Sequence, residues 1–178
     1  MNTELSVTLK DGKIYKGLFK QPSLDTYELV FDNINEPFVS DTILAKNCFV
    51  EGDEELVDFD EHINLFFSYR NDLWQLLCIF PVNIEEKEGN IHIDITQSDN
   101  SGVISAVFRK PNFKELRKVM SFVDSGKIFI GQMELARLTF VDGDRSFIQF
   151  NKFPNLIASY GRRLLTSYDI GIADLKKK

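Results

Sequence analysis

The sequence predicts an α+β fold built as a tandem duplication of a ββααα unit, a β-hairpin plus three helices, with pseudo-symmetry between the copies. Three observations lead there. Blocks of sequence recur in the same order. LAKNCFVEGD at residues 44–53 is answered by LARLTFVDGD at 135–144, and NLFFSYRNDLW at 64–74 by NLIASYGRRLL at 155–165. GKIYKGLFKQPSL, beginning at Gly12, is answered by SGVISAVFRKPNF, beginning at Ser101. Each copy opens on alternating apolar and polar segments separated by turn residues, the mark of a hairpin. Each then shows apolar residues at helical spacing. The offset between copies drops from 91 to 89 upstream of Ser125 and Gly126, which places a longer helix connection there.

The first copy is expected over residues 3–80 and the second over 90–172. Residues 81–89 read as an acidic, glycine-containing linker, and 173–178 as a basic tail. In copy one, ELSVTL and KIYKGLF flank Lys10-Asp11-Gly12, an Asp-Gly hairpin signal. In copy two, IHIDIT and VISAVF flank SDNSG, the same hairpin with a longer loop. A basic-x-Pro joint follows, Lys20-Gln21-Pro22 and Arg109-Lys110-Pro111, where proline ends the strand ahead of a helix cap. Ser23 is that cap in copy one. Asn112 with Glu115 has capping-box spacing in copy two.

The helix after Asn112 places Phe113, Leu116, Met120 and Val123 on one side. A second helix contains Ile43, Leu44 and Ala45, matched by Met133, Leu135 and Ala136. A third is expected from about Asp60 to Cys78, with Phe59, Ile63, Phe66, Phe67, Trp74 and Leu77 largely on one face. Its counterpart starts near Pro154, a first-turn proline. One such unit alone would have a thin core, so the two are expected to form a single pseudo-symmetric body.

Between the second and third helices lies the most acidic stretch of the chain. Seven carboxylates run from Glu51 to Glu61, followed by His62. The duplication supplies a control. Glu54, Glu55, Asp58, Asp60, Glu61 and His62 are answered by Arg145, Ser146, Gln149, Asn151, Lys152 and Phe153. Only Phe-Val-acid-Gly-Asp is common to both copies, and it reads as a helix end, a glycine turn and an Asp cap. The extra acids of copy one therefore read as a solvated helix start or a charged contact surface, not as a metal site. The spacing also lacks the EF-hand ligand pattern. His62 occupies a slot held by Phe153 and is expected to be a partly packed ring. His92 alternates with Ile91 and Ile93 and is expected to point outward. No nucleophile elbow, phosphate loop or dinucleotide fingerprint is present in the sequence. The expectation is a protein without catalytic residues, metal or cofactor.

The N-terminal MNTELSVTLKDG lacks a signal-peptide pattern, and the most apolar run, LWQLLCIFPV, is too short to span a bilayer. A soluble intracellular protein is expected, with Cys48 and Cys78 as buried reduced thiols.

Charge divides unevenly. Residues 1–89 carry 7 Lys/Arg against 18 Asp/Glu, and residues 90–178 carry 14 against 9, within a total of −6. Lys114, Arg117 and Lys118 fall at i, i+3 and i+4 on the first helix of copy two, and Arg162 and Arg163 on its last. With Glu54, Glu55 and Asp58 of copy one they form the candidate interaction surface. Such a polar molecule suits contact with itself or a partner, acidic end to basic end. Nucleic acid ranks behind this reading, because the acidic half repels a phosphate backbone.

FKQPSL, LAKNCFVEGDEEL and DEHINLFFSY in copy one, with FRKPNF and LARLTFVDGD in copy two, make a strand with a basic-x-Pro step, a helix, a GDEE-type turn and a further helix. This arrangement resembles small tailed-bacteriophage proteins of the tail-assembly-chaperone-like type, here internally duplicated. The resemblance implies a non-enzymatic protein acting in virion assembly or structure, as a tail-assembly chaperone or a neck or tail ring component. Its partners would be other virion or assembly proteins, with self-association and without membrane contact. Its location would be the cytoplasm of a bacterial host or the virion. The alternative is a binding protein that engages nucleic acid or a host defence factor.

Overall fold

Residues 2–97 and 102–168 are described by the computed structural model of the chain. It divides into two units, Met1–Cys78 and Ile79–Lys178, both α+β. The first contains β1 (Asn2–Thr8), β2 (Ile14–Lys20), α1 (Leu24–Asp32), α2 (Pro37–Cys48), β3 (Phe49–Gly52), a 3₁₀ turn (Glu54–Leu56) and α3 (Ile63–Gln75). The second contains β4 (Val82–Lys87), β5 (Asn90–Thr96), β6 (Val103–Arg109), α4 (Phe113–Asp124), α5 (Ile128–Thr139), β7 (Phe140–Gly143), a 3₁₀ turn (Arg145–Ile148) and α6 (Pro154–Ser167).

This order corrects the expected ββααα. A short strand and a 3₁₀ turn separate the second and third helices of each unit, and the second unit begins with an additional strand. The sheets are antiparallel, ordered β1-β2-β3 and β4-β5-β6-β7. The expected linker is largely β4. Ile84 pairs with Ile93 and Val82 with Ile95. As an edge strand β4 needs only one neighbour, so its acids can face water. Glu88 and Gly89, at φ +52° and +78°, form the two-residue turn into β5.

Alternation places the cores. Leu5, Val7, Tyr15 and Phe19 are buried under one face of the first sheet, and Ile91, Ile93, Ile95, Ala106 and Phe108 under one face of the second. The hairpin turn at Gly12 has φ +86°, and Lys13 N–H donates to the Asp11 carboxylate at 3.0 Å. The loop 98–101 and the tail 173–178 lie outside the described residues. Ser23 caps α1 by accepting from Thr26 N–H. Asn112 and Glu115 form a complete capping box on α4.

The shared Phe-Val-acid-Gly-Asp segment is where the helix hands directly to the sheet. Gly52 pairs with Gly17 in one unit and Gly143 with Ala106 in the other, each beside a register shift on the partner strand. Gly52 has φ +129°, and a Cβ there would lie 2.3 Å from Lys16 O and 2.6 Å from Gly17 Cα. Gly143 meets Ser105 O and Ala106 Cα in the same way. Only glycine lets the strands approach so closely. After the glycine, Asp53 N–H donates to Lys16 O and Asp144 N–H to Ser105 O, both at 2.9 Å. The two aspartates then differ. Asp144 caps its 3₁₀ turn at Ser146 N–H, whereas the Asp53 carboxylate accepts from Lys16 N–H at 2.7 Å.

The third helix is tied to the 3₁₀ turn by a buried tyrosine in each unit. Tyr69 donates to Leu56 O, and Tyr160 donates to Phe147 O at 2.5 Å. Burial pushes both hydroxyls well above their ordinary pKa.

The polar contacts between the second and third helices differ between units. Asp41, fully buried on α2, lies 2.8 Å from Arg70 Nε as an ion pair whose N–H points off the oxygen, and it accepts from Trp74 Nε1 at 2.5 Å. The corresponding positions in unit two are Gln132, Gly161 and Leu165. Gly161 leaves room for Gln132, whose Oε1 would lie 2.7 Å from an added Cβ.

Three expectations about burial change. Phe113 is 82% exposed, and the buried line of α4 is Val119 and Val123. Periodicity puts Phe113 near the apolar side, but it sits in the helix's first position, beyond the reach of the core. On α3 the buried residues are Leu65, Phe66, Tyr69 and Leu73, while Ile63 and Phe67 face out. Cys48 is buried, and burial raises its thiol pKa to about 11, but Cys78 is exposed just beyond α3 with φ +46°. No helix of the described residues is long and apolar enough to cross a membrane.

Candidate interaction surfaces

The first surface forms where the start of α2 meets α3. Pro37 opens α2, so Phe38 projects from its first turn. Ile63 and Phe67 lie one turn apart on α3. Phe38 and Phe67 meet edge to face with centroids 5.9 Å apart, and the tilted rings of Phe66 and Phe59 lie 4.3 Å apart. Phe38, Ile63 and Phe67 are 58%, 48% and 55% exposed. Glu36 precedes Phe38, and Asp60 and Glu61 precede Ile63, all exposed. The aromatic centre therefore has an acidic border.

Unit two is built differently at the same positions. Phe129 is fully buried, and Pro154 and Ala158 stand where Ile63 and Phe67 do. The neighbouring helix also differs: α4 has 12 residues against 9 in α1, and its last turn lies against α5, with Val123 beside Gly131. The bordering acids become Lys127, Asn151 and Lys152.

A groove beside each 3₁₀ turn holds the sequence-predicted acids. Glu54, Glu55 and Asp58 line the groove in unit one, and their counterparts Arg145, Ser146 and Gln149 line the one in unit two. The two grooves lie at matching positions of the two units but differ in charge. Asp58 also meets Glu61 and His62, whose ligand atoms lie within 4.8 Å of one another. A single backbone turn, His62 N–H to Asp58 O at 3.1 Å, brings them together. Two carboxylates and an imidazole are a donor set a divalent cation can use. The i, i+3, i+4 spacing was readable in the sequence, and the expectation of a merely packed His62 did not anticipate this convergence. Gln149, Lys152 and Phe153 occupy the equivalent turn in unit two, so the fold does not need the trio.

The second surface is the outer face of α4. Lys114 and Arg117 are exposed beside Phe113, and neither has an ion-pair partner among the described residues. Lys118 is exposed as expected, and its ammonium lies 2.6 Å from Glu134. Arg109 grips Glu115 with two guanidinium nitrogens at 2.7 and 2.8 Å and also donates to Leu138 O. That grip and the Asn112 N–H hold the Glu115 carboxyl down at about 2. Arg163 donates to Val82 O at 2.6 Å, tying α6 to β4, and Arg162 is exposed on the same helix. All five predicted basic residues are exposed; Lys118 and Arg163 also have partners in their own unit, whereas Lys114, Arg117 and Arg162 have no ion-pair partner among the described residues.

No family model, curated protein or solved structure matches the chain.

Proposed function

We propose that this is a non-enzymatic protein of a tailed bacteriophage that acts in virion assembly or structure through protein–protein contacts. The observation that carries the reading of contact-making is the cluster of exposed Phe38, Ile63 and Phe67 with its acidic border. Exposed apolar groups gathered in one place mark interaction surfaces, whereas scattered ones do not. The reading of a tail-assembly chaperone or a neck or tail ring component rests on the sequence resemblance. The two units are read as copies of one module, supported by the paired registers at Gly52 and Gly143 and the paired tyrosine bonds.

A second reading, a binder of nucleic acid or a host defence factor, draws on the outward-facing Lys114 and Arg117. Sedimentation of the purified protein separates the two, run with single-stranded DNA, double-stranded DNA, and purified tail and neck components. Binding to itself or to a virion component without a DNA shift is expected. A monomer that shifts only with DNA, and loses that shift on Arg117→Glu, would overturn the assembly reading.

A further inference from the structure

We infer that the protein binds a second copy of itself head to tail: the aromatic surface of unit one, Phe38, Ile63 and Phe67, receives the α4 face of unit two, Phe113, Lys114 and Arg117. The inference rests on the contact-making reading and names its partner.

The two surfaces fit each other in kind. Unit one presents an aromatic cluster, and unit two presents one aromatic anchor, Phe113, which at 82% is the most exposed large hydrophobic side chain among the described residues. Each has a charged border of opposite sign: Glu36, Asp60 and Glu61 against Lys114 and Arg117. An aromatic anchor with a polar rim is the usual anatomy of a specific contact, and complementary charge orients the approach.

Neither surface is demanded by the fold, because the other unit makes the same element without it. Phe38, Ile63 and Phe67 correspond to a buried Phe129, Pro154 and Ala158. On the first helix, Phe113, Lys114 and Arg117 correspond to Leu24, Asp25 and Glu28. Each unit thus has one of the two faces, and its counterpart in the other unit has the opposite charge. A partner that must be basic and aromatic for one face, and acidic and aromatic for the other, is present in every copy of this chain. Because the two faces differ, each copy keeps one of each free after pairing. Association then continues until a ring closes or a filament grows.

Mixing two variants of the full chain tests this. K114E/R117E has a disabled basic face and an intact aromatic one. F67S has the reverse. All three substitutions are at exposed positions, and circular dichroism confirms folding. By sedimentation velocity, the wild-type protein is expected to associate at low salt and to dissociate near 1 M salt, where the Debye length is about 3 Å. Each variant alone should weaken self-association at least about tenfold, K114E/R117E by setting like charges against the acidic border and F67S by removing an aromatic anchor. An equimolar mixture should form a 1:1 pair that grows no further. Wild-type association untouched by either variant overturns the inference, as does a mixture that stays monomeric. A monomeric wild-type protein that binds a purified tail component through Phe67 also overturns it and leaves the proposed function standing. A monomer that binds neither itself nor those components overturns both.

Discussion

Replacing Gly52 with alanine tests the close approach of β3 to β2. Two costs add. A side chain at φ +129° is strained by about 1–3 kcal/mol. The new methyl would sit 2.3 Å from Lys16 O and 2.6 Å from Gly17 Cα, backbone atoms that cannot rotate away. Forcing the strands apart costs about another 1–3 kcal/mol. The sum is about 4 kcal/mol. With a urea m-value of about 2 kcal/mol/M, the unfolding midpoint should fall by about 2 M. Gly12→Ala is the control, because Gly12 has φ +86° but nothing within 4 Å of an added Cβ. It should lose only the conformational part, about 1–2 kcal/mol. The chain has one tryptophan, Trp74 on α3 of the same unit, so its fluorescence follows both variants. Equal midpoints for Gly52→Ala and Gly12→Ala would show that the strand contact contributes nothing and refute the reasoning.

Glu115, held at about 2 in the folded chain, stabilises unit two above the ordinary carboxylate range and loses that contribution as pH falls toward 2. Glu115→Gln should therefore flatten the acid limb of the stability curve between about pH 4.5 and 2, and NMR titration should place the Glu115 midpoint near 2. At the other unit's acidic turn, a chelator should leave the melting temperature unchanged, and Asp58→Asn should cost at most about 1 kcal/mol, read by thermal melts with and without EDTA. A chelator-induced drop in the wild-type melting temperature would show that Asp58, Glu61 and His62 hold a structural cation.

The hairpins and caps were legible because their signals are local. Lys10-Asp11-Gly12 between alternating strands fixes a turn, and Asn112 with Glu115 fixes a helix start. β3 and β7 were not, because four residues with only the first partly buried show no alternation. β4 was hidden by its acids, which an edge strand can hold toward water. The candidate surfaces were legible in charge but not in shape. Lys114 and Arg117 face out as expected, and so do Lys118 and Arg163, but these two also bond to residues distant in sequence, Glu134 and Val82. Phe113, Ile63 and Phe67 fit the helical period of a core face. Periodicity gives direction around a helix, not whether that turn still lies over the core.

The unequal packing of Asp41 has a consequence for how the chain folds. Neighbouring units of similar sequence can trade equivalent helices during synthesis or refolding, a common failure of repeat proteins. Here an exchanged α6 would bring Gly161 and Leu165 to Asp41, leaving a buried carboxylate with neither cation nor indole N–H. Removing the partner of a buried charge costs about 3–5 kcal/mol. An exchanged α3 would drive Arg70 into the space that Gly161 leaves for Gln132. An exchange of third helices would therefore be opposed from both sides, by an unpartnered Asp41 in one unit and a clash beside Gln132 in the other.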